Sequence, residues 1–207
     1  MYLAVAGNIG VGKSSLTARL AEHYALEPVY EAVDENPYLK DFYKDMKRYA
    51  FHSQIFFLSR RLEQHLAQVN PGSRIIQDRT IYEDAGVFAR NLFEQGVMDA
   101  RDFGSYHAMY EAIRRALKPP DVLVYLRSSA PTLQTRIAQR GRDYEAAIQR
   151  DYLEQLNLLY DAWIETYDLS PKLVLDADAL DFVNREEDLG EVMRRLEPYG
   201  LTSPILP

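Results

Sequence analysis

The segment from Gly7 to Ser14 reads G-N-I-G-V-G-K-S, so two glycines five positions apart precede a lysine and a serine. Glycine permits backbone conformations in which consecutive N–H groups turn toward an anion, and lysine adds a positive charge. The serine hydroxyl that follows can bind Mg²⁺. We therefore predict a nucleoside triphosphate site whose phosphate-binding residues are Gly7, Asn8, Ile9, Gly10, Val11, Gly12, Lys13, Ser14 and Ser15.

The elements around this loop are those that phosphate binding requires. Residues 2–6 form an apolar run typical of a buried strand, and apolar residues recur at helical spacing over residues 14–24. The N-terminus of that helix adds the positive end of its dipole. Further strands are predicted at 28–30, 74–77, 122–126 and 172–175, and further helices at 38–70, 82–92, 99–117, 132–139, 146–167 and 186–196. This alternation predicts one α/β domain over residues 1–207, with a doubly wound, five-stranded parallel sheet flanked by helices.

Charged side chains follow the second and third predicted strands. Glu31 ends one of them, and Asp78 and Arg79 end the other. Carboxyl ends of neighbouring parallel strands meet at one edge of a sheet, where ligands bind, so we expect these side chains beside the phosphate loop. Phosphoryl transfer to a hydroxyl needs charge neutralisation, for which Lys13 is placed, and a base that accepts the proton. Glu31 is the candidate for this general base, although a carboxylate after a strand also commonly caps the next helix.

The other two charged residues have complementary tasks. Arg79 can hold the Glu31 carboxylate or the group in transfer, which makes Glu31, Arg79 and Lys13 the candidate catalytic residues. Asp78 follows an apolar strand beside the loop and, with Ser14, is a candidate Mg²⁺ ligand.

Composition limits the classes of partner and setting. The chain has 207 residues, 47% hydrophobic and 27% charged, as is ordinary for a globular domain. Its net charge of −7 argues against a nucleic-acid partner, and the absence of cysteine excludes disulfides and thiolate metal sites. No apolar run approaches the roughly 20 residues of a membrane span, and the N-terminus lacks the pattern of a signal peptide. We expect a soluble, cytoplasmic protein with no membrane partner.

The order of the motifs resembles the deoxyribonucleoside kinase family, in particular its bacterial deoxyadenosine/deoxyguanosine kinase branch. The segments that carry the resemblance are the phosphate loop, V-Y-E-A-V-D-E-N-P-Y-L at 29–39 and D-R-T-I-Y-E-D at 78–84. The resemblance runs nearly end to end and implies the P-loop kinase fold, ATP and Mg²⁺. It implies a purine 2′-deoxynucleoside as acceptor, with Glu31 as the base for its 5′-hydroxyl, Arg79 near the 5′-oxygen and Asp78 near the metal. Thr80 stands where the family more often has serine.

The resemblance also extends to residues that would bind the nucleoside. It places Tyr43 on the sugar, Gln54 and Arg61 on the base, Asp84 beside Arg61 as its ion-pair partner, and Glu145 on the sugar 3′-hydroxyl. Independently, positions seven apart on a helix lie nearly on one face, and Gln54 and Arg61 supply a donor–acceptor pair and a fork of donors. Without the match in spacing, both would more readily be interpreted as solvated helix positions.

An R-x-x-x-R-x-R cluster consists of Arg136, Arg140 and Arg142. Guanidinium groups suit phosphate oxygens, so a lid closing on ATP could bring these arginines to the transferred group, although a solvated basic helix face is an equal alternative. In the family this spacing belongs to an arginine-rich lid, here at about residues 136–146. Residues 176–183 resemble the family's loop around the donor adenine, and family members are commonly homodimers, which we expect here as well.

Aromatic residues are less informative. Tyr152, Tyr160, Trp163 and Tyr167 recur at helical spacing, which predicts core packing rather than a ligand site. Phenylalanines at 51, 56 and 57 leave open whether one or two contact a base.

Two other classes of function stay as alternatives: another P-loop nucleotide enzyme and a non-catalytic structural protein. A nucleoside monophosphate kinase binds an anionic acceptor and should carry basic residues near Glu31. The segment E-A-V-D-E-N-P-Y instead has three acidic residues and no basic residue. A P-loop GTPase would carry an N-K-x-D element, which the sequence lacks. A non-catalytic structural relative could lose Lys13, Ser14 or Arg79, yet all are present together with Glu31. The choice among deoxyadenosine, deoxyguanosine and deoxycytidine, and the choice of donor, stay open.

Overall fold

A computed structural model of the chain describes residues 1–31 and 35–201. Within these residues, five parallel strands form one sheet in the order β2-β3-β1-β4-β5. The strands are β1 Tyr2–Gly7, β2 Glu27–Val29, β3 Ile75–Asp78, β4 Val122–Arg127 and β5 Lys172–Asp176. The predicted five-stranded parallel α/β fold is thereby confirmed. Because β1 lies at the centre, the phosphate loop leaves the sheet between its neighbours β3 and β4.

Helices connect the strands and cover both faces of the sheet. They are α1 Lys13–Tyr24, α2 Leu39–Lys44, α3 Met46–Gln64, α4 Ile81–Glu83, α5 Arg90–Glu94, α6 Ala100–Arg114, α7 Ala130–Arg140, α8 Arg150–Thr166 and α9 Glu186–Leu196. Single π-helical stretches, His65–Val69 and Asp84–Ala89, follow α3 and α4, and 3₁₀ turns occupy Asp143–Glu145 and Glu197–Tyr199. Along the described ranges, no helix has the length and apolar character needed to cross a membrane.

The chain breaks the helix predicted over 38–70, which is wrong as a single element. Asp45 takes φ −143° and ψ 78°, outside the helical region, and separates α2 from α3. Its side chain accepts a hydrogen bond from the Arg48 backbone N–H at 3.2 Å, so it caps the N-terminus of α3. The predicted helix at 146–167 likewise begins only at Arg150, because Gln149 is extended with ψ 153°. An aspartate within a helical pattern can therefore mark a helix boundary.

The two faces of the sheet bury alternate residues of β1. Leu3 and Val5 pack against the buried face of α1, which includes Leu16 and Leu20. Tyr2, Ala4 and Ala6 pack on the opposite side, where Tyr125 and Tyr160 also lie. Because β1 is buried on both faces, its loop leaves from a rigid base, which keeps the phosphate-binding backbone in place.

Candidate active site

The phosphate loop adopts conformations that favour glycine. Gly7 and Gly12 have φ values of 147° and 103°. A Cβ at Gly7 would lie 2.7 Å from the carbonyl oxygen of Leu126, so this position requires glycine on steric grounds as well. The Lys13 ammonium donates to the carbonyl oxygen of Asn8 at 3.0 Å and closes the loop. The predicted cradle for phosphate oxygens is therefore formed by the backbone.

The side chain of Asn8 anchors the loop. Its amide nitrogen donates to the Leu153 carbonyl at 3.0 Å and to Oδ1 of Asn157 at 2.8 Å, both on α8. Its Oδ1 accepts from the Ile9 N–H at 2.7 Å. Asn8 was predicted among the phosphate-binding residues, and with its side chain engaged in this way only its backbone is placed to serve that purpose.

Glu31 lies two residues after β2 and is held by two arginines. Its Oε2 accepts from Nε of Arg79 at 2.9 Å, and its Oε1 accepts from Nη2 of Arg61 at 2.5 Å. Nη1 of Arg61 lies 2.8 Å from Oδ2 of Asp84. The structure thus brings together four residues that the sequence places in three separate segments. Ala32 and Val33, which follow Glu31 in the E-A-V motif, lie outside the described residues.

Burial and charge act in opposite directions on these groups. Burial raises the pKa of the Glu31 carboxyl, but the positive charges of Arg79 and Arg61, with a smaller effect of Lys13, outweigh it. The pKa of Glu31 is consequently lowered from 4.5 to about 2, so the carboxyl is ionised at neutral pH. For Asp84, burial outweighs the effect of Arg61 and raises the pKa to about 7. Burial, and then the charge of Arg79, lower the pKa of Lys13 to about 8.

The backbone of Arg79 is in the left-handed region, with φ 67°. Its N–H donates to the carbonyl oxygen of Val5 at 2.9 Å, which fixes the turn between β3 and α4. Immediately after it, Thr80 caps the N-terminus of α4. A non-glycine residue is disfavoured in this conformation, so tertiary contacts hold the Arg79 guanidinium toward Glu31.

Sequence reasoning missed Glu83. It is fully buried and forms a capping box with Thr80: the Thr80 N–H donates to Oε1 of Glu83 at 2.7 Å, and the Glu83 N–H donates to the Thr80 hydroxyl. The other carboxylate oxygen accepts from the Gly7 N–H at 3.2 Å. The T-x-x-E spacing, a recognised signature of a helix start, was the available signal. Glu83 therefore links the helix after Arg79 to the phosphate loop.

The hydroxyl of Tyr160 makes contacts that the sequence did not predict. Its ring packs in the core as expected, but its hydroxyl lies 2.6 Å from Oε2 of Glu83 and 2.8 Å from the carbonyl oxygen of Gly7. The same hydroxyl accepts from Nη1 of Arg79 at 3.1 Å. Tyr160 thus joins the phosphate loop and the Arg79 turn, and helical spacing alone could not reveal that the hydroxyl faces them.

Ser14 and Asp78 are suitably placed for a divalent cation. The Ser14 hydroxyl donates to Oδ2 of Asp78, whereas Oδ1 of Asp78 is buried and has no hydrogen-bond partner among the described residues. Burial raises the pKa of Asp78, and the nearby positive charge of Lys13 opposes that effect. A hydroxyl oxygen and a carboxylate oxygen are ligands that Mg²⁺ prefers, so these residues fit that ion. The unpartnered carboxylate oxygen is the structural observation in favour of the fit.

A cavity of about 300 Å³ lies beside the phosphate loop. All the residues predicted to bind the acceptor line it: Glu31, Tyr43, Gln54, Arg61, Arg79, Asp84 and Glu145, together with Lys13. Aromatic side chains line it as well, among them Phe57, Phe88 and Tyr152. Of these, Phe88 was not anticipated, Tyr152 was predicted only to pack, and Phe57 was left open. The Arg79 guanidinium lies 4.4 Å from the centre of the Phe88 ring.

The lid arginines have different partners. Arg136 donates to the Val11 carbonyl at 2.9 Å and to the Ala177 carbonyl at 2.8 Å, so it ties the phosphate loop to the segment after β5. Arg140 donates to the buried Glu145 carboxylate at 2.6 Å. Arg142 approaches the same carboxylate at 3.5 Å. Only the latter two line the acceptor cavity.

A second cavity, of about 450 Å³, also lies against the phosphate loop. Its lining comprises residues 10–15 of the loop, the arginines of α7 and the lid, and residues 180–184. Phe182 of that last segment is buried and packs close to Gly12. Lys13, Ser14, Arg140 and Arg142 line both cavities. The two cavities therefore share a border at the phosphate loop and the lid arginines.

Comparison with known proteins agrees with this arrangement. The model of the family described as deoxynucleoside kinase matches residues 3–199. Deoxyadenosine/deoxycytidine kinase of Bacillus subtilis is 37% identical, over 94% of this chain and 90% of its own. Deoxyguanosine kinase of Lactobacillus johnsonii is 38% identical, with 94% and 90% covered. A structure of M. mycoides deoxyadenosine kinase with the products dCMP and a flexible dCDP bound superposes with a TM-score of 0.86 and 34% identity, over 96% of this chain and all of the other. This chain therefore belongs to the deoxynucleoside kinase family and is an enzyme of that class.

Proposed function

We propose that the enzyme transfers the γ-phosphoryl group of ATP to the 5′-hydroxyl of deoxyadenosine or deoxyguanosine in nucleotide salvage, with deoxycytidine as a further acceptor. The observation that carries this proposal is that Glu31, Lys13 and the side chains of Gln54 and Arg61 line one cavity. The same cavity is thus lined by a general base for the 5′-hydroxyl, a positive charge for the phosphates and hydrogen-bond donors for the nucleobase.

Each charged residue of the cavity has a step in the proposed reaction. Glu31 accepts the proton of the 5′-hydroxyl as the 5′-oxygen bonds to the γ-phosphorus, and ADP leaves. Arg79 holds the Glu31 carboxylate and lies next to the transferred group, and Lys13 neutralises charge on the phosphates. Mg²⁺, held by Ser14 and Asp78, would supply further neutralisation of the phosphate charge.

We assign recognition of the nucleobase to two residues of α3 and to Asp84, which pairs with one of them. Gln54 and Arg61 are both buried and line the same cavity, as expected of positions seven apart on one helix. Oδ2 of Asp84 lies 2.8 Å from Nη1 of Arg61, so the two side chains form an ion pair. A guanidinium and an amide suit the ring nitrogens and exocyclic groups of a purine. The relatives named above act, by their names, on deoxyadenosine, deoxycytidine or deoxyguanosine, which is the range we propose for this chain.

Sugar recognition is assigned to Tyr43 and Glu145. Both line the acceptor cavity, and the Tyr43 ring stacks on Tyr144 with centroids 6.2 Å apart. The family resemblance gives Glu145 the 3′-hydroxyl and Tyr43 the sugar. Together they leave the 2′-position without a hydrogen-bonding partner of its own, so we propose a preference for 2′-deoxyribose.

The donor is proposed to occupy the second cavity. Its lining by the phosphate loop and by residues 180–184 suits the phosphates and the adenine of ATP. Arg140 and Arg142 line both cavities, and we propose that they contact the transferred group once Glu145 binds the sugar. We propose residues 1–207 as a single kinase domain with its lid at about 136–146.

We further propose a cytoplasmic homodimer. An apolar groove on the surface, lined by Gly86, Phe93, Phe103 and Trp163 among others, supports the second part of this proposal. The rings of Phe93 and Phe103 stack at 4.5 Å, and Phe93 is 38% exposed. Light scattering on the purified protein tests it: a mass of two chains supports the dimer, and a mass of one chain excludes it.

The activity is tested with a panel of acceptors and ATP-Mg²⁺. The panel contains the four deoxynucleosides, their ribonucleoside counterparts and the four deoxynucleoside monophosphates. We expect turnover of deoxyadenosine, deoxyguanosine or both, and none in the matched Lys13→Ala variant. Turnover restricted to monophosphates would instead identify a monophosphate kinase, and inactivity on the whole panel would support a structural role.

A further inference from the structure

Both carboxylate oxygens of Glu31 are occupied by guanidinium groups. Arg79 engages Oε2 from the side of the phosphate loop, and Arg61 engages Oε1 from the base-recognition helix α3. Two positive charges lower the proton affinity of a carboxylate, and the low pKa of Glu31 reflects them. In this arrangement, therefore, Glu31 is a weak acceptor for the proton of a hydroxyl.

Arg61 is shared between two acids that lie on different sides of it. Its Nη2 pairs with Glu31 and its Nη1 pairs with Asp84. A guanidinium presents its donors in a rigid plane, so turning an edge toward a nucleobase disturbs one of these pairs. Asp84 is 4% exposed and Glu31 is 15% exposed, so the Asp84 pair is the deeper one. Both acids line the acceptor cavity, and the contact with Glu31, the more exposed of the two, is the one that a ligand can more easily replace.

The pairing also links two functions that the sequence keeps apart. Arg61 and Glu31 are 30 residues apart in the sequence. Arg61 is on α3, the helix proposed to bind the nucleobase, and Glu31 follows β2 and is the proposed base for the 5′-hydroxyl. Nε of Arg61 is buried and has no hydrogen-bond partner within the described ranges, so the guanidinium has an unused donor. A base with acceptor atoms would satisfy it and favour a new orientation of the group.

We propose that Arg61 is a base-sensing switch: its guanidinium pairs with Glu31 and leaves that carboxylate when a nucleobase accepts its hydrogen bonds. This inference rests on the proposed kinase function. Departure of Arg61 frees Oε1 of Glu31. That oxygen then takes the proton of the 5′-hydroxyl while the 5′-oxygen bonds to the γ-phosphorus, the bond to the β,γ-bridging oxygen breaks and ADP leaves. Binding of the correct base thereby activates the catalytic base.

A purely structural role of the Arg61–Glu31 ion pair leads to a different expected result from the switch. If Arg61 only holds the pocket in shape and binds the base, removing it lowers the turnover of every acceptor. If Arg61 also restrains Glu31, removing it lowers the turnover of nucleosides but raises that of an acceptor without a base. The probe for this distinction is 1,2-dideoxyribose, which has the 5′-hydroxyl and the 3′-hydroxyl of the deoxynucleoside sugar but no nucleobase.

The first experiment compares kcat for 1,2-dideoxyribose and kcat/KM for deoxyadenosine in wild type, Arg61→Ala and Gln54→Ala. Arg61→Ala should raise kcat for the base-less sugar severalfold, with about tenfold as the upper limit for each unit by which the pKa of Glu31 rises, and lower kcat/KM for deoxyadenosine. Gln54→Ala is the matched control: it removes a base contact without touching Glu31, so it should lower only the deoxyadenosine value. The double variant Arg61→Met/Asp84→Asn, which leaves no unpaired buried charge, replaces Arg61→Ala where the single variant does not fold.

The second experiment supplies the base separately. Free adenine should increase the turnover of 1,2-dideoxyribose by the wild type and have no such effect on the Arg61 variant. An unchanged or reduced rate on the base-less sugar without Arg61, or no effect of adenine on the wild type, would overturn the switch. Turnover of deoxyadenosine or deoxyguanosine by the wild type is measured in parallel, and its absence would contradict the kinase proposal rather than the switch.

Discussion

Arg79 donates from Nε to Oε2 of Glu31 at 2.9 Å while its own backbone has φ 67°. For a residue with a Cβ, the left-handed region costs roughly 1–2 kcal/mol. The ion pair with Glu31, the bond from the Arg79 N–H to Val5 and the capping of α4 by Thr80 hold the residue there. The position of the guanidinium beside the catalytic base is thus maintained at a cost in backbone energy.

Replacement of Arg79 should distinguish the energetic cost of its left-handed backbone from its contribution to catalysis. Both Arg79→Ala and Arg79→Gly lose the ion pair, and we expect both to be nearly inactive. Glycine tolerates the positive φ, so the free energy of unfolding should be about 1 kcal/mol higher for Arg79→Gly than for Arg79→Ala. Urea denaturation of the two variants measures the difference. A glycine variant less stable than the alanine variant would refute strain at this position.

Asp78 should govern the requirement for Mg²⁺. Its unpartnered Oδ1 and the adjacent Ser14 hydroxyl are the proposed ligands. Asp78→Asn should raise the Mg²⁺ concentration for half-maximal activity by about 10- to 100-fold, in the range found when metal-site residues are altered. Asp161→Asn, a change at a half-exposed carboxylate that pairs with Arg127, is the control. If both variants keep the wild-type requirement, Asp78 does not hold the ion.

Glu145 should account for recognition of the 3′-hydroxyl. A hydrogen bond to a charged group contributes about 1.5–3 kcal/mol, so the wild type should disfavour 2′,3′-dideoxyadenosine relative to deoxyadenosine by about 10- to 100-fold in kcat/KM. Glu145→Gln should reduce that ratio severalfold, because the charge is lost from a side chain that is 4% exposed. Glu154→Gln changes an exposed acid that pairs with Arg150 and should keep the wild-type ratio. An equal ratio in wild type and Glu145→Gln would place the hydroxyl elsewhere.

The lowered pKa of Glu31 has a consequence for stability. A carboxyl whose pKa is lower in the folded state than in the unfolded state stabilises the fold above its ordinary pKa, and this contribution is lost as the pH falls from 4.5 toward 2. Between pH 7 and pH 4, the wild type should lose about 1 kcal/mol more than Glu31→Gln, which cannot be protonated in this way. Urea unfolding of both proteins at the two pH values measures this. A difference between them that does not change with pH would show that the ion pairs leave the pKa unaltered.

Much of the fold could be predicted because it depends on local patterns. The phosphate loop requires glycine at particular φ values, and the apolar runs that form the parallel strands are short and regular. The carboxyl ends of these strands must meet, so the proximity of Glu31, Asp78 and Arg79 followed from topology alone.

The remainder depends on contacts between distant segments, which a single sequence does not encode locally. Arg136 was expected at the phosphates, but its guanidinium spans the Val11 and Ala177 carbonyls. Tyr160 was expected only to pack, but its hydroxyl reaches Gly7 and Glu83. In each case the element was predicted correctly, and only the direction of its side chain, which tertiary packing sets, was not.

The most direct test of the central claim is the single-turnover rate of 5′-dAMP formation from ATP-Mg²⁺ and deoxyadenosine, for wild type and Glu31→Gln at saturating concentrations of both substrates. If Glu31 is the proton acceptor, the variant should be slower by about 10²- to 10⁴-fold, the usual contribution of general base catalysis, with deoxyadenosine affinity within a few-fold of wild type. Circular dichroism confirms that both proteins are folded. A near-wild-type rate in the variant would contradict the claim, because the proton would then leave the 5′-hydroxyl without Glu31.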